Sequence, residues 1–170
     1  MHTVHYSSAS DEWETPQKLF ADLDREFGFA LDVCATKENT KCKVWYTEEQ
    51  NALNRNWIAT GPAWMNPPYG RQIGQWIAKA KGESGRGVTV VCLLPARTDT
   101  RWFHDHCWNI ERDKPRTNVE VRFLKGRLKF GTAKAGAPFP SMVVIFTPPP
   151  GCRIDPRQTK MFETAETDNV

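Results

Sequence analysis

The chain has 170 residues, of which 39% are hydrophobic and 25% are charged. This length fits one domain and leaves no room for a second of ordinary size, and the apolar fraction supports a packed core, which excludes global disorder. The longest apolar run, residues 88–96, is too short to span a membrane, and the first residues lack the charged-then-apolar layout of a signal peptide.

The net charge of +3 is unevenly distributed along the chain. Residues 1–60 carry a balance of −4, whereas residues 61–170 carry one of +7. A basic second half is what a polyanion-binding surface requires, because each neutralised phosphate releases counterions. An ordinary solvated surface would give the same count, so charge alone leaves nucleic-acid binding open.

The predicted elements begin with a polar segment, residues 1–12, that we expect to be mobile. Thr15 then has the chemistry of an N-cap and Pro16 that of a first helical residue, and Gly28 is expected to end this helix. The next elements are predicted strands, at residues 29–35, 42–47 and 63–66.

The second half of the chain continues the alternation of helices and strands. The predicted helices are residues 70–81 and 99–108, and the predicted strands are residues 88–94, 119–124 and 142–146. Residues 82–87 are expected to form a loop, and residues 148–170 an extended or disordered tail. This order predicts an α/β domain with an open, mostly parallel sheet and helices on both faces.

The segment Asn66-Pro67-Pro68-Tyr69 follows a predicted strand and is the most informative in the sequence. Two prolines end the strand and fix a stiff turn. That turn holds the Asn66 amide and the Pro67 carbonyl in fixed directions, so that both can accept hydrogen bonds from one amino group, with the Tyr69 ring beside them.

Such an arrangement suits methylation of an exocyclic amine. The lone pair of adenine's amino nitrogen is delocalised into the ring, which makes it a poor nucleophile. Two acceptors on its hydrogens stabilise the positive charge that grows as the nitrogen attacks a sulfonium methyl, and an aromatic ring can hold a base rotated out of its stack. The alternative is that these four residues only form a tight loop.

In the order of its motifs, the chain resembles the phage-type DNA N-6-adenine methyltransferase family (Dam-like). The segments that carry this resemblance span residues 11–147 and are Trp13-Glu14-Thr15-Pro16, Leu31-Asp32-Val33-Cys34-Ala35, Asn51-Ala52-Leu53 with Trp57, Asn66-Pro67-Pro68-Tyr69, Leu94-Pro95-Ala96-Arg97-Thr98-Asp99, Gly126-Arg127-Leu128-Lys129-Phe130 and Pro138-Phe139-Pro140-Ser141.

The resemblance implies a Rossmann-like, S-adenosylmethionine-dependent methyltransferase domain over residues 13–147. It implies transfer of a methyl group to the 6-amino group of adenine in DNA, in a bacterial cytoplasm and from a phage or prophage gene. The implied catalytic residues are Asn66, Pro67, Pro68 and Tyr69, and the implied cofactor-binding residues are Thr15, Pro16, Asp32, Cys34, Asn51 and Leu53. No metal is required, and the sequence does not reveal the oligomeric state.

One feature of the chain departs from the wider superfamily of adenine methyltransferases. Their first strand is usually followed by a Gly-rich loop, whereas residues 34–39 of this chain contain no glycine. Without glycine, close approach of the backbone to a cofactor is less favourable, so side chains are expected to hold its amino-acid end instead.

One buried carboxylate and one group of histidine and cysteine residues each have two competing interpretations. Asp32 is the only charge in an apolar strand, so its carboxylate must meet either the cation of a ligand, which we favour, or a protein donor. His104, His106 and Cys107 resemble a metal-binding set, but residues two apart on a helix point to different sides, which argues against a zinc site.

Basic residues near the ends of the predicted strands are candidates for DNA contact. They are Arg71, Arg97, Lys125, Arg127 and Lys129. Three of them, together with Arg122, are interleaved with aromatic residues. Such a surface can bind along a phosphate backbone, but the same alternation also occurs on a solvated sheet face. Arg97 and Asp99 could contact DNA or cap the following helix. Recognition of the target is expected from the loops around Arg71, 111–118 and 131–140.

A DNA adenine methyltransferase is therefore the leading hypothesis. A catalytically silent nucleic-acid-binding relative is the alternative from another class, and the missing glycines favour it. Methylation of RNA, or of a protein glutamine by the same amide-type chemistry, is a nearer alternative.

Overall fold

The structure is a computed structural model that describes residues 13–57 and 60–152. The predictions for residues 1–12, and for the tail beyond residue 152, lie outside the described residues. The described helices and strands are, in chain order, α1 (Gln17–Phe27), β1 (Leu31–Asp32), β2 (Val44–Trp45), β3 (Ala63–Met65), α2 (Ile73–Ser84), β4 (Val90–Pro95), β5 (Trp108–Asn109), β6 (Lys114–Pro115), β7 (Val119–Phe123) and β8 (Ser141–Phe146).

Six of these strands form one sheet in the order β2-β1-β3-β4-β8-β7. The pairings among β2, β1, β3 and β4 are parallel, and the two that involve β8 are antiparallel. The predicted mixed α/β architecture with a mainly parallel sheet is thus confirmed. All residues of β4 and β8 are buried, as their apolar sequences predict. The hairpin of β5 and β6 was not predicted.

The strand directions define two edges of the sheet. Because β7 is antiparallel to β8, which is antiparallel to β4, β7 runs in the same direction as β4. Strands β1 to β4 and β7 therefore all end at one edge, which we call the carboxyl edge. Asn66 follows β3 at this edge, whereas residues 116–118 lead into β7 from the opposite edge. The loop 111–118, from which DNA recognition was predicted, therefore leads into β7 from the edge opposite Asn66.

Helix α1 packs its apolar stripe on the sheet, with the ring of Phe20 edge-on to that of Trp64 at 5.5 Å between centroids. It ends as predicted at Gly28, whose φ of 66° allows its N–H to bond to the carbonyl of Asp24. The predicted start is wrong by one residue. Pro16 occupies the N-cap position without a side-chain hydrogen bond, and Thr15 does not cap the helix.

Two other helix predictions are corrected. Helix α2 starts and ends later than residues 70–81, and its last turn includes the buried Glu83. The carboxylate of Glu83 accepts the N–H of Trp57 and pairs with Lys79 at 2.6 Å.

Among the described helices, none combines the length and apolarity needed to cross a bilayer.

The predicted helix over residues 99–108 is reduced to a short helical stretch that ends in a π-helical turn, Phe103–Cys107. The guanidinium of Arg116 donates two hydrogen bonds to the carbonyl of His104, at 2.9 and 2.7 Å. An α-helix would use that carbonyl for the N–H of Trp108, which bonds to the carbonyl of Phe103 instead.

A pair of glycine substitutions tests the geometry of these helix ends. Gly28→Ala should lower the free energy of unfolding by about 1 kcal/mol, because alanine is strained at a φ of 66°. Gly82→Ala should raise it by about 0.5–1 kcal/mol, because Gly82 lies inside α2 with open space around its Cα. Urea denaturation measures both. Equal effects of the two substitutions would contradict the assigned cap.

Candidate active site

A cavity of about 820 Å³ opens at the carboxyl edge of the sheet. Its walls are the loops that follow β1, β2 and β3, the 3₁₀ turn Ala52–Asn54, the start of α2, and Trp13. The volume lies in the range of small-molecule sites, about 300–1,000 Å³. Parallel strands that end at one edge commonly place ligands there.

The cavity brings together residues from two groups that the sequence analysis predicted separately. The predicted residues that line it are Asn66, Pro67, Pro68, Cys34, Asn51 and Leu53. Thr15, Pro16, Asp32 and Tyr69 are not part of its lining. The proline-braced turn and the segment after β1 thus share one cavity, although they are more than 30 residues apart in sequence.

The side chain of Asn66 is held in one orientation by two acceptors from the segment before α1. Its Nδ2 donates to the carbonyl of Trp13 and, at 3.0 Å, to Oγ1 of Thr15. Since a carbonyl can only accept, the group facing Trp13 must be the NH2 and not the amide oxygen. Oδ1 of Asn66 is buried and has no hydrogen-bond partner within residues 13–57 and 60–152. Such an acceptor is costly unless a ligand supplies a donor.

Tyr69 is placed in the core and not beside the amide. It is 4% exposed, its hydroxyl donates to the carbonyl of Leu93 at 3.1 Å, and its ring lies edge-on to Phe139 at 5.6 Å between centroids. Burial raises the pKa of its hydroxyl well above the ordinary value. The structure therefore does not bring the Tyr69 ring to the cavity, and in this position it supports the turn from beneath.

Asp32 meets protein donors and not the cavity. Its two carboxylate oxygens accept the backbone N–H groups of Cys34, at 3.3 Å, and of Lys41, at 3.1 Å. Of the two partners considered from sequence, the structure thus supplies the protein donor. These bonds close the loop of residues 33–41, whose first part, Val33–Thr36, lines the cavity.

The same loop shows how the chain manages without glycine. The N–H of Thr36 bonds to Oδ1 of Asn39 at 2.7 Å, and the N–H of Glu38 bonds to Oγ1 of Thr36 at 3.3 Å. Side-chain oxygens therefore take the place of a ligand for these backbone donors. The loop is held as a unit by its own polar side chains.

Burial controls the protonation of two groups at this wall. It raises the pKa of Asp32 to about 6, and the N–H groups of Lys41 and Cys34 oppose this shift. Burial, with the neighbouring Asp32 carboxylate, raises the pKa of the Cys34 thiol. The Cys34 thiol is therefore neutral and is not a thiolate nucleophile.

Another wall of the cavity is the 3₁₀ turn Ala52–Asn54, which carries Leu53 and begins at Asn51. Asn51 has a φ of 47°, which asparagine tolerates better than most residues and which starts the turn. The turn is held from behind by Trp57, whose indole N–H donates to the carbonyl of Ala52 at 2.8 Å. The backbone N–H of Trp57 is in turn fixed by Glu83 on α2.

Several residues of the cavity were missed by the sequence analysis. They are Val33, Ala35, Thr36, Asn39, Tyr46, Thr47, Glu48, Ala52, Asn54, Gln72, Gln75 and Trp76. Tyr46, Thr47 and Glu48 directly follow β2, and the rule that ligands bind beyond the carboxyl ends of parallel strands could have found them. No sequence motif marks Gln72, Gln75 and Trp76. They reach the cavity because the start of α2 lies near Asn66 in the folded chain.

The predicted DNA-contacting residues are exposed, and three of them follow β7 at the carboxyl edge. The segment after β7 carries Lys125, Arg127 and Lys129. Arg71 follows β3 and Arg97 follows β4 at the same edge. Arg122 differs, since its guanidinium makes two 2.7 Å hydrogen bonds with Glu26 and one with Glu120. It is therefore committed to pairing α1 with β7.

The histidine and cysteine residues considered as a metal set lie in or at the π-helical turn. In the described ranges, no three His, Cys, Asp or Glu side chains are grouped closely enough to hold a metal ion.

Comparison with known proteins points to one family. A model of the family "DNA N-6-adenine-methyltransferase (Dam)" matches residues 2–160. The chain is 33% identical over 144 residues to the DNA N-6-adenine-methyltransferase of Haemophilus phage HP1, a match that covers 83% of this chain and 81% of the relative. It is 36% identical over 94 residues to the protein of the same description from Escherichia phage T1, covering 55% of this chain and 39% of that longer relative.

The raised pKa of Asp32 predicts a distinctive dependence of stability on pH. Because the folded chain holds this proton more tightly than the unfolded chain, the contribution favours folding below the ordinary pKa of 3.8 and is lost as the pH rises through about 6. The difference in free energy of unfolding between wild type and Asp32→Asn should therefore shift against the wild type by up to about 3 kcal/mol from pH 4 to pH 7.

Urea denaturation at several pH values measures this difference. Asp22→Asn is the matched control, because the hydrogen bond from Lys18 lowers the pKa of that exposed carboxylate and its trend should have the opposite sign. A pH-independent difference for Asp32→Asn would contradict the assignment.

Proposed function

The chain belongs to the DNA N-6-adenine-methyltransferase (Dam) family and is an adenine-specific DNA methyltransferase, and we propose that the cavity beside Asn66 is where the methyl transfer occurs. In this proposal the methyl donor is S-adenosylmethionine. The sheet is then the Rossmann-like core of such enzymes with helices on both faces, a proposal supported by the parallel order of β2, β1, β3 and β4. The relatives are phage proteins, which supports a role in a bacterial cytoplasm.

The chemistry of the cavity fits this cofactor. S-adenosylmethionine combines a flat base, sugar hydroxyls and a charged amino-acid end, and when bound it supplies a methyl group activated by a sulfonium. The lining offers apolar contacts from Val33 and Leu53, and acceptors for hydroxyl or amino groups from Glu48 and Asn51. The predicted contacts of Cys34, Asn51 and Leu53 fit their positions in the lining. For Thr15, Pro16 and Asp32 we propose a supporting role beneath it.

The observation that carries this proposal is the buried Oδ1 of Asn66, which has no hydrogen-bond partner in the described part of the chain. In our proposal it accepts a hydrogen bond from the 6-amino group of a flipped adenine, and the Pro67 carbonyl accepts the other hydrogen. As the nitrogen attacks, it becomes positively charged, and these oxygens stabilise that charge before a proton is released. The nitrogen–methyl bond forms while the bond between sulfur and methyl breaks, so no base is needed before the attack.

Pro67 and Pro68 contribute by rigidity. Each fixes its own φ, so the turn cannot relax away when the substrate enters. The aromatic rings within the cavity lining are those of Trp13, Tyr46 and Trp76. Tyr69 would join them only by giving up its hydrogen bond to Leu93, so its stacking on the target base stays a prediction.

DNA is proposed to cross the carboxyl edge above the cavity. The exposed cations Lys125, Arg127 and Lys129 follow β7, and strands β8 and β4 separate them from the β3 end that carries Asn66. At about 4.8 Å per strand this is a lateral distance of about 14 Å, which duplex DNA can span. Arg71 follows β3 and Arg97 follows β4, and both are proposed to contact the same DNA strand.

The role of Asn66 is tested by transfer of labelled methyl from S-adenosylmethionine to DNA. Asn66→Ala should reduce kcat by about 100–1,000-fold, the usual effect of removing one such hydrogen-bonding group. Asn56→Ala is the control, because Asn56 is exposed and outside the cavity lining, and it should retain wild-type activity. Equal incorporation by Asn66→Ala and wild type would refute the proposed role.

The DNA surface is tested by the salt dependence of binding. Lys125→Ala and Arg127→Ala should each weaken DNA binding and reduce the slope of log K against log salt by about 1, since one phosphate contact is lost. Arg112→Ala removes an exposed arginine from the hairpin at the opposite edge and should leave the slope unchanged. Fluorescence anisotropy over a salt series measures all three. An altered slope for Arg112→Ala alone would reverse the proposed orientation.

A further inference from the structure

We propose that Thr15 is a positioning residue that orients the amide of Asn66 for catalysis, and this inference rests on the proposed function. The hydroxyl of Thr15 and the carbonyl of Trp13 together form what we call the amide clamp. Through this clamp the segment before α1 decides which end of the Asn66 amide faces the substrate.

The clamp matters because the two ends of an amide differ in chemistry. The oxygen accepts hydrogen bonds and the NH2 group only donates them. Adenine's amino group offers two hydrogens and a lone pair that is delocalised into the ring, so it needs acceptors. An Asn66 amide turned by 180° would present donors to donors and would repel the group that must react.

The Trp13 carbonyl excludes that turned orientation, and the Thr15 hydroxyl, which can donate or accept, holds the amide in place beside it. Oγ1 of Thr15 lies 3.0 Å from Nδ2 of Asn66, and the Trp13 carbonyl accepts the other hydrogen. Turning the amide would bring Oδ1 against the Trp13 carbonyl, where two acceptors face each other. Both hydrogens of Nδ2 are thereby used, and Oδ1 is left free for the substrate.

Thr15 is built into this position and not into the helix. It is 4% exposed, yet its hydroxyl does not cap α1, the role that its sequence context predicts. A buried hydroxyl at the start of a helix that forgoes capping is explained by its bond to Asn66. The position thus carries a polar side chain for the sake of the neighbouring turn.

The clamp is itself held from two sides. The N–H of Gly131 donates to the carbonyl of Glu14 at 2.9 Å, and the Trp13 ring lies edge-on to Phe130 and Phe139 at 5.3 and 5.1 Å between centroids. On the other side, Lys41 Nζ lies 3.2 Å from Oε1 of Glu14. The segment after β7 and the loop after β1 therefore both fix the clamp.

A pair of matched variants tests the inference. Thr15→Val keeps the shape of the side chain and removes its acceptor, and Thr15→Ser keeps the hydroxyl. Thr15→Val should lower kcat about tenfold while the KM and the calorimetric Kd for S-adenosylmethionine stay at wild-type values. Thr15→Ser should restore kcat to within about threefold of wild type.

Three results would overturn the inference. One is a wild-type kcat for Thr15→Val. Another is a raised Kd for S-adenosylmethionine with kcat unchanged at saturation, which would make Thr15 a cofactor contact. The third is a kcat for Thr15→Ser as low as that of Thr15→Val. A fully active Asn66→Ala would instead refute the proposed function, whereas an inactive Asn66→Ala beside a fully active Thr15→Val would refute only this inference.

A measurement on the wild-type chain covers the case in which Thr15→Val does not fold. In nitrogen-15 NMR spectra, the side-chain NH2 of Asn66 is identified as the signal lost in Asn66→Ala. Both hydrogens should be protected from exchange with solvent, because both are bonded within the clamp. Rapid exchange of either hydrogen would overturn the inference.

Discussion

The site depends on the orientation of one amide. Asn66 uses both of its donor hydrogens on Thr15 and Trp13, and its buried Oδ1 has no partner among the residues that the structure describes. An unpaired buried oxygen lowers the stability of the folded chain, and in our proposal the substrate supplies the missing donor. In this proposal the proline turn, Tyr69 beneath it and the contacts of the segment before α1 keep that oxygen in place.

The loop after β1 shows a second constraint, which is how a pocket wall is made rigid without glycine. Asp32 lies at the end of a buried strand, and its carboxylate ties together two points of the loop that are seven residues apart, Cys34 and Lys41. Thr36 and Asn39 bind further backbone donors. Polar side chains thus bind the backbone donors of a loop that lacks glycine, and the match to the DNA N-6-adenine-methyltransferase family supports an enzyme over a catalytically silent relative. Burial disfavours the charged form of the Asp32 carboxylate, and the pKa of this group is therefore raised even though it accepts two backbone hydrogen bonds.

Much of the fold could be predicted from sequence, because its signals are local. Apolar runs predict the buried strands β4 and β8, and the glycine after α1 predicts where that helix ends. The shortened helix before β5 could not be predicted, since its end is set by Arg116, which lies nine residues beyond the last helical residue. Thr15 failed as a predicted cap for a related reason. Its hydroxyl has a partner 51 residues away, and local propensity contains no information about that bond.

The site was predicted in part for the same reason. The residues that follow β1 and β3 could be found because the ends of these strands are visible in the sequence. Gln72 and Trp76 could not be found, because their place in the cavity depends on how α2 packs in the fold. Tyr69 was expected at the surface of the turn, but an aromatic ring next to the apolar β4 is more stable in the core.

The most direct measurement is a crystal structure of the chain with adenine-containing DNA and an unreactive analogue of S-adenosylmethionine. The account predicts the 6-amino nitrogen of an extruded adenine at about 3 Å from Oδ1 of Asn66, with Nδ2 still bonded to Thr15 and the Trp13 carbonyl. An adenine bound elsewhere, or an Asn66 amide turned so that its NH2 faces the base, would contradict it.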